Sequence, residues 1–244
     1  MTYCLGIVTQ SGFVVAADSR TNAGVDYIST YQKLFDFSEP GQRVILLCTS
    51  GNLAITQAVV NMLHRDLKLG ECESFHTLPT LYDAACYVGE KIRHIQERER
   101  PWLERDKIDS SCNCLLAGQF QGEPPELYLI YRQGNCIQAT PETPFLQIGE
   151  TKYGKPILDR ILSYDTSVED AAKCALLSID STMKSNISVG PPIDLVMYRT
   201  NSFKIGDRLR LGQDDPYLVE IRKQWEVSLR QAFDQMPPIE WTGP

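Results

Sequence analysis

The second residue of this 244-residue chain is a threonine that leads straight into an apolar run, "TYCLGIVT". A threonine hydroxyl is a weak nucleophile until something takes its proton. If Met1 is removed, which a small second residue permits, Thr2 carries its own base. Its free α-amine has an unperturbed pKa of about 7.7–8.0, so a neutral fraction exists near neutral pH and can take the hydroxyl proton, a task otherwise given to histidine. Threonine is also a common, merely permissive second residue, and by itself Thr2 does not separate the two readings. A run that reads as buried strand from residue 2 onward favours a terminus with a job, since most chain ends fray.

The remaining residue types with chemical potential point elsewhere. Eight cysteines (Cys4, Cys48, Cys72, Cys86, Cys112, Cys114, Cys136 and Cys174) sit mostly in apolar runs such as "VILLCTS" and "AAKCALL", without the Cys-x-x-Cys spacing of zinc sites. They are expected to be buried, reduced thiols. Cys112 and Cys114 share one face of a strand at period two. His64, His76 and His94 are isolated from one another and are expected to be ordinary solvated or capping histidines. A formal charge of −7 with scattered Lys and Arg argues against nucleic acid or an anionic membrane as partner. No apolar run approaches the roughly 20 residues of a membrane span, and no basic segment precedes an apolar one at the start. A cytoplasmic location is therefore expected.

The elements that must position Thr2 come in alternating groups. "TYCLGIVT" and "FVVAADS" read as a hairpin across Gln10, Ser11 and Gly12, and "KLFDF" with "RVILLCTS" as a second. Gly51 and Asn52 then break the strand, and Ala54, Ile55, Ala58, Val59, Met62 and Leu63 recur at helical spacing. A second helix is expected from about Thr80 to Arg98, stopped by or just before Pro101. Strands return in "SCNCLLAGQF", "ELYLIYR", "CIQAT" and "FLQIG". Helices follow from about Tyr153 to Leu162 and, after Ser167, to about Lys184, then strands "IDLVMYR" and "SFKIGD", and a last helix from about Pro216 to Phe233. Grouped strands with grouped helix pairs predict an α+β fold of two antiparallel sheets stacked face to face with helices outside. No internal boundary is evident, so residues 1–244 are read as one domain with a Pro-rich tail from about residue 236.

The opening "TYCLGIVTQSGFVVAADSRTNAG" resembles that of a proteasome β subunit: a strand beginning with threonine, a glycine turn, then V-x-A-A-D-S-R and an A-G pair. The resemblance implies Thr2 as N-terminal nucleophile, with the family's aspartate, sixteen residues further on, at Asp18 and its neighbouring arginine at Arg20. It places the family's lysine at Lys33 in "YQKLFDF", one residue early, and the oxyanion glycine at Gly51 in "CTSGNLAIT". Lys33 would hold positive charge near the Thr2 hydroxyl and amine, with Asp18 orienting and compensating it. Gly51 would offer a backbone N–H to a developing oxyanion.

Two positions depart from the family pattern. Glu150 in "IGETKYG" stands where a serine is usual, and in "SNISVG" Ser185 stands at the place of an aspartate while Ser188 matches a serine. With the Met-Thr start and the tail "MPPIEWTGP", the chain is similar over nearly its whole length to Anbu, the ancestral β-subunit group of proteasome-like proteins. What this implies is a four-layer αββα sandwich of N-terminal-nucleophile hydrolase type with no cofactor and no metal. It implies a threonine peptidase acting on peptides or unfolded protein inside a homo-oligomer, as a closed ring or an open helical assembly. A hydrolase of small amides or esters and a catalytically weak scaffold subunit remain as alternatives.

Overall fold

A computed structural model describes residues 2–22, 28–70 and 73–241. Met1, Cys72, the Ala23–Gly24 pair and the last three residues of the tail lie outside them. The chain opens with β1 (Tyr3–Thr9) and β2 (Gly12–Asp18), a hairpin turning at Gln10 and Ser11 with Thr9 opposite Gly12. A short hairpin follows, β3 (Arg20–Asn22) with β4 (Ile28–Thr30), and then β5 (Leu34–Asp36) pairs with β6 (Arg43–Gly51). Next come α1 (Leu53–Leu69), α2 (Leu81–Arg105), β7 (Cys112–Phe120), β8 (Glu126–Ile130), β9 (Cys136–Gln138) and β10 (Phe145–Gly149). The chain continues through α3 (Lys155–Ile161), α4 (Val168–Ser185), β11 (Ile193–Arg199), β12 (Asp207–Leu211) and α5 (Pro216–Asp234).

Two five-stranded antiparallel sheets result, ordered β10-β1-β2-β11-β12 and β5-β6-β7-β8-β9. Period-two alternation sorts their side chains into three cores. Cys4, Phe13, Val15, Leu46, Cys48, Leu115 and Ile148 fill the space between the sheets. Tyr3, Leu5, Ile7, Val14 and Ala16 point the other way, into a core with Ala175 and Ile179 of α4. Ile45, Leu47, Cys114 and Leu116 meet Val59, Leu63, Ala85, Val88 and Ile92 of α1 and α2. Strands buried on both faces explain why β1, β2 and β6 read as continuous apolar runs. The architecture is the expected αββα sandwich. Of the seven described cysteines, all free, five are buried and Cys86 and Cys136 are half-buried; the Sγ atoms of Cys112 and Cys114 lie 3.9 Å apart.

Two expectations are corrected. Pro101 does not stop α2, which runs on to Arg105. Proline removes a bond to the carbonyl of Glu97 on an exposed turn, while Leu103 in the extension packs against the α1/α2 core. "SFKIG" is not strand: Asn201 and Phe203 have positive φ, and pairing with β11 begins only at Asp207, opposite Met197.

Candidate active site

The site is best built outward from Asp18, the last residue of β2 and fully buried. Its Oδ1 accepts the backbone N–H of Tyr3 at 3.0 Å and the ammonium of Lys33 at 2.7 Å. Its Oδ2 accepts the N–H of Gly190 at 3.1 Å. Burial pushes the Asp18 carboxyl up, and Lys33 and the two backbone donors act against that shift. Lys33, 4% exposed, gives a second bond to the carbonyl oxygen of Arg20 at 2.5 Å. One carboxylate thus joins three segments distant in sequence, and the amide it grips belongs to the Thr2–Tyr3 peptide.

Thr2 is fixed from its other side by β10. The Glu150 N–H donates to the Thr2 carbonyl at 2.7 Å, continuing the ladder in which Tyr3 faces Gly149. Gly149 has φ +86°, and a Cβ there would overlap the Thr2 carbonyl oxygen. Only glycine lets the two backbones close at this point. Glu150 is itself 8% exposed, and its Oε2 accepts Asn186 Nδ2 at 3.1 Å. Asn186 ends α4, and its Oδ1 accepts the N–H of Ser188 at 3.0 Å. Residues 186–190 therefore brace both carboxylates, Glu150 through a side-chain amide and Asp18 through a backbone N–H. Behind the site, the Tyr3 hydroxyl meets Ser178 Oγ at 2.6 Å and Gln147 at 2.5 Å. Burial pushes its phenol to about 12, so it anchors β1 as a neutral group.

Comparison with known proteins decides what this arrangement belongs to. The family model described as proteasome subunit matches residues 2–197. A structure of Anbu (ancestral beta-subunit) from Yersinia bercovieri is 44% identical with a TM-score of 0.93, covering 99% of this chain and 100% of that one. One of the helical assembly of the Anbu complex from Pseudomonas aeruginosa is 45% identical with a TM-score of 0.94, at 99% and 100% coverage. Anbu from Hyphomicrobium sp. strain MC1 is 44% identical with a TM-score of 0.87, at 98% and 99% coverage. The chain belongs to the proteasome-subunit family, in its Anbu group. No curated protein matches it.

The other positions singled out in this proteasome-family sequence fall around that centre unevenly. Gly51 ends β6 with φ +112°, and a Cβ there would overlap Ser111 O. The backbone thus demands glycine at Gly51 whatever its chemistry. Asn52 follows as N-cap of α1, accepting from the N–H groups of Ala54 and Ile55. Arg20 donates to Ile187 O at 2.9 Å and packs its guanidinium on Gly190, so it supports the 186–190 turn from outside. Ser188 enters through its backbone. Ser185 is exposed and lines an outer cleft with Arg20, Lys184 and Arg222, outside the hydrogen-bonded network of Asp18 and Glu150. Asn186, beside it, is the residue sequence reasoning missed. Its only sequence signal was its place after the last turn of α4, where asparagine commonly serves as a cap.

Proposed function

We propose that this Anbu-group subunit is a threonine-type peptidase, with Thr2 as nucleophile once Met1 is gone. The observation that carries the reading is the Asp18 carboxylate, which holds the Lys33 ammonium against the Thr2–Tyr3 peptide in a dry setting. A lysine has three donors; two go to Asp18 and Arg20 O, and the reading assigns the third to Thr2 Oγ. The neutral α-amine takes the Oγ proton as Oγ attacks the carbonyl carbon of a peptide bond. The oxyanion then takes the N–H of Gly51. Collapse breaks the C–N bond, and the departing amine receives the proton from the α-ammonium. Water, deprotonated by the same amine, hydrolyses the ester and restores Thr2.

The substrate in this reading is a peptide or unfolded chain, in the cytoplasmic setting expected from the sequence. The chain assembles with copies of itself, a reading supported by the helical assembly of the similar Pseudomonas aeruginosa complex. The test is a peptide epoxyketone or β-lactone on protein whose intact mass shows Met1 absent. A single adduct mapped to Thr2 is expected, the epoxyketone bridging Oγ and the amine. No adduct, or one elsewhere, removes the assignment. An adduct without turnover of any peptide favours the small-substrate hydrolase.

A further inference from the structure

We propose that Cys86 of α2 and Cys136 of β9 are an oxidisable pair, joined as a disulfide by a small uncharged hydroperoxide and separated again by a dithiol reductant. The inference is independent of Thr2. Successive contacts lay α2 along β8 and β9 and bring these two residues together. At one end the ring of Tyr82 meets that of Tyr128, centroids 6.2 Å apart. At the other, a Cβ on Gly89 would lie 2.0 Å from the carbonyl oxygen of Gly134, so helix and turn touch backbone to backbone. Tyr82, Cys86 and Gly89 follow at helical spacings of four and three and share one face, which sets Cys86 between the two contacts. On the strand side Cys136 stands opposite Ile130, and opposed residues of an antiparallel pair project to the same face. Ile130 belongs to the α1/α2 core, and Cys136 packs against that core. The two thiols accordingly meet. Cys86 and Cys136 are side-chain hydrogen-bond partners, and the Tyr82 hydroxyl makes a further side-chain bond to Cys86.

This pair differs from the other described cysteines in what can reach it. Cys4, Cys48, Cys112, Cys114 and Cys174 are buried, whereas Cys86 and Cys136 are half-buried. Cys86 lines an open surface cleft with Leu78, Pro79, Asp83 and Glu90. Carboxylates there disfavour anionic oxidants such as glutathione disulfide and leave an uncharged hydroperoxide free to enter. Burial, with Cys86 close by, pushes the Cys136 thiol up, so the first step falls to Cys86 on the open side. Its sulfur attacks one oxygen of hydrogen peroxide, the O–O bond breaks, and a sulfenic acid and water form. The Cys136 sulfur then attacks the sulfenic sulfur. An S–S bond forms, the S–O bond breaks, and the hydroxyl leaves as water with the Cys136 proton. Two thiols have lost two electrons, and one peroxide has become two waters. β9 is three residues long and lies at the edge of its sheet, so the link fastens the outermost strand to α2.

The test uses the full chain, reduced, desalted and treated with hydrogen peroxide, then alkylated with N-ethylmaleimide and digested without reductant. Mass spectrometry is expected to find Cys86 and Cys136 in one cross-linked pair of peptides that dithiothreitol separates, formed within a single chain as judged by denaturing, non-reducing electrophoresis. The linked protein should melt about 5–10 °C above the reduced protein. In Cys136→Ser the resolving thiol is gone, and dimedone should trap Cys86 as its sulfenic acid with no rise in Tm. Both thiols recovered alkylated from the peroxide-treated parent overturn the inference. So does a link from either to a different cysteine or between chains, and so does a Tm rise of the same size in Cys136→Ser.

Discussion

Asp18 binds three donors with two oxygens, and each donor comes from a different part of the chain. Hydrogen bonds to a charged group contribute roughly 1.5–3 kcal/mol apiece, so the carboxylate organises the site as well as compensating Lys33. Asp18→Asn would keep the shape and remove the charge that orients the lysine. Lys33→Ala would remove the positive field itself. Each is expected to slow β-lactone modification of Thr2 by about 10² or more, measured as a pseudo-first-order rate on folded protein. Rates within about threefold of the parent for both would remove their role. The positions of Asp18 and Lys33 were legible through the resemblance of "VVAADSR" and "YQKLFDF" to proteasome β-subunit segments. Asn186 was not, because an amide that bridges a carboxylate 36 residues away leaves no local pattern.

At the level of elements, the close approach of β1 and β10 depends on one glycine. Gly149→Ala would place a Cβ against the Thr2 carbonyl at a φ of +86°. The expected loss is about 3 kcal/mol, or roughly 6–12 °C in Tm by calorimetry, together with slower labelling of Thr2. An unchanged Tm would mean that β10 can shift without cost. Most elements were legible from their periods, because strands buried on both faces and amphipathic helices both leave strong patterns. The misses are local overrides by packing: Leu103 carries α2 past Pro101, and positive φ at Asn201 and Phe203 delays β12. The β3/β4 hairpin, three residues a side, was too short to register.

For the whole molecule, three of the four sheet edges are poor docking edges. β5 and β9 are three residues long, and β12 carries Asp207, Arg208 and Arg210. Exposed apolar side chains gather instead on α5 and the segment after it: Val227, Leu229, Phe233, Met236, Ile239 and Trp241. Assembly of this chain with its copies is expected to use that face. Light scattering with size exclusion at micromolar protein should give a mass that is a multiple of 27.5 kDa, and Phe233→Glu with Trp241→Ala should reduce it. A parent that runs as a single subunit removes the assembly reading.

The same helix has a second consequence. Of its 19 residues only Leu218 is fully buried; Ile221, Arg222 and Trp225 are half-buried, and ion pairs join Arg222 to Asp180 at 2.6 Å and Glu226 to Lys184. An element held so lightly opens independently of the sheets. Its amides should exchange with deuterium well before those of β1 or β6 in a dispersed subunit, and slow sharply when subunits meet. The time course of that protection would read out assembly residue by residue, without a substrate.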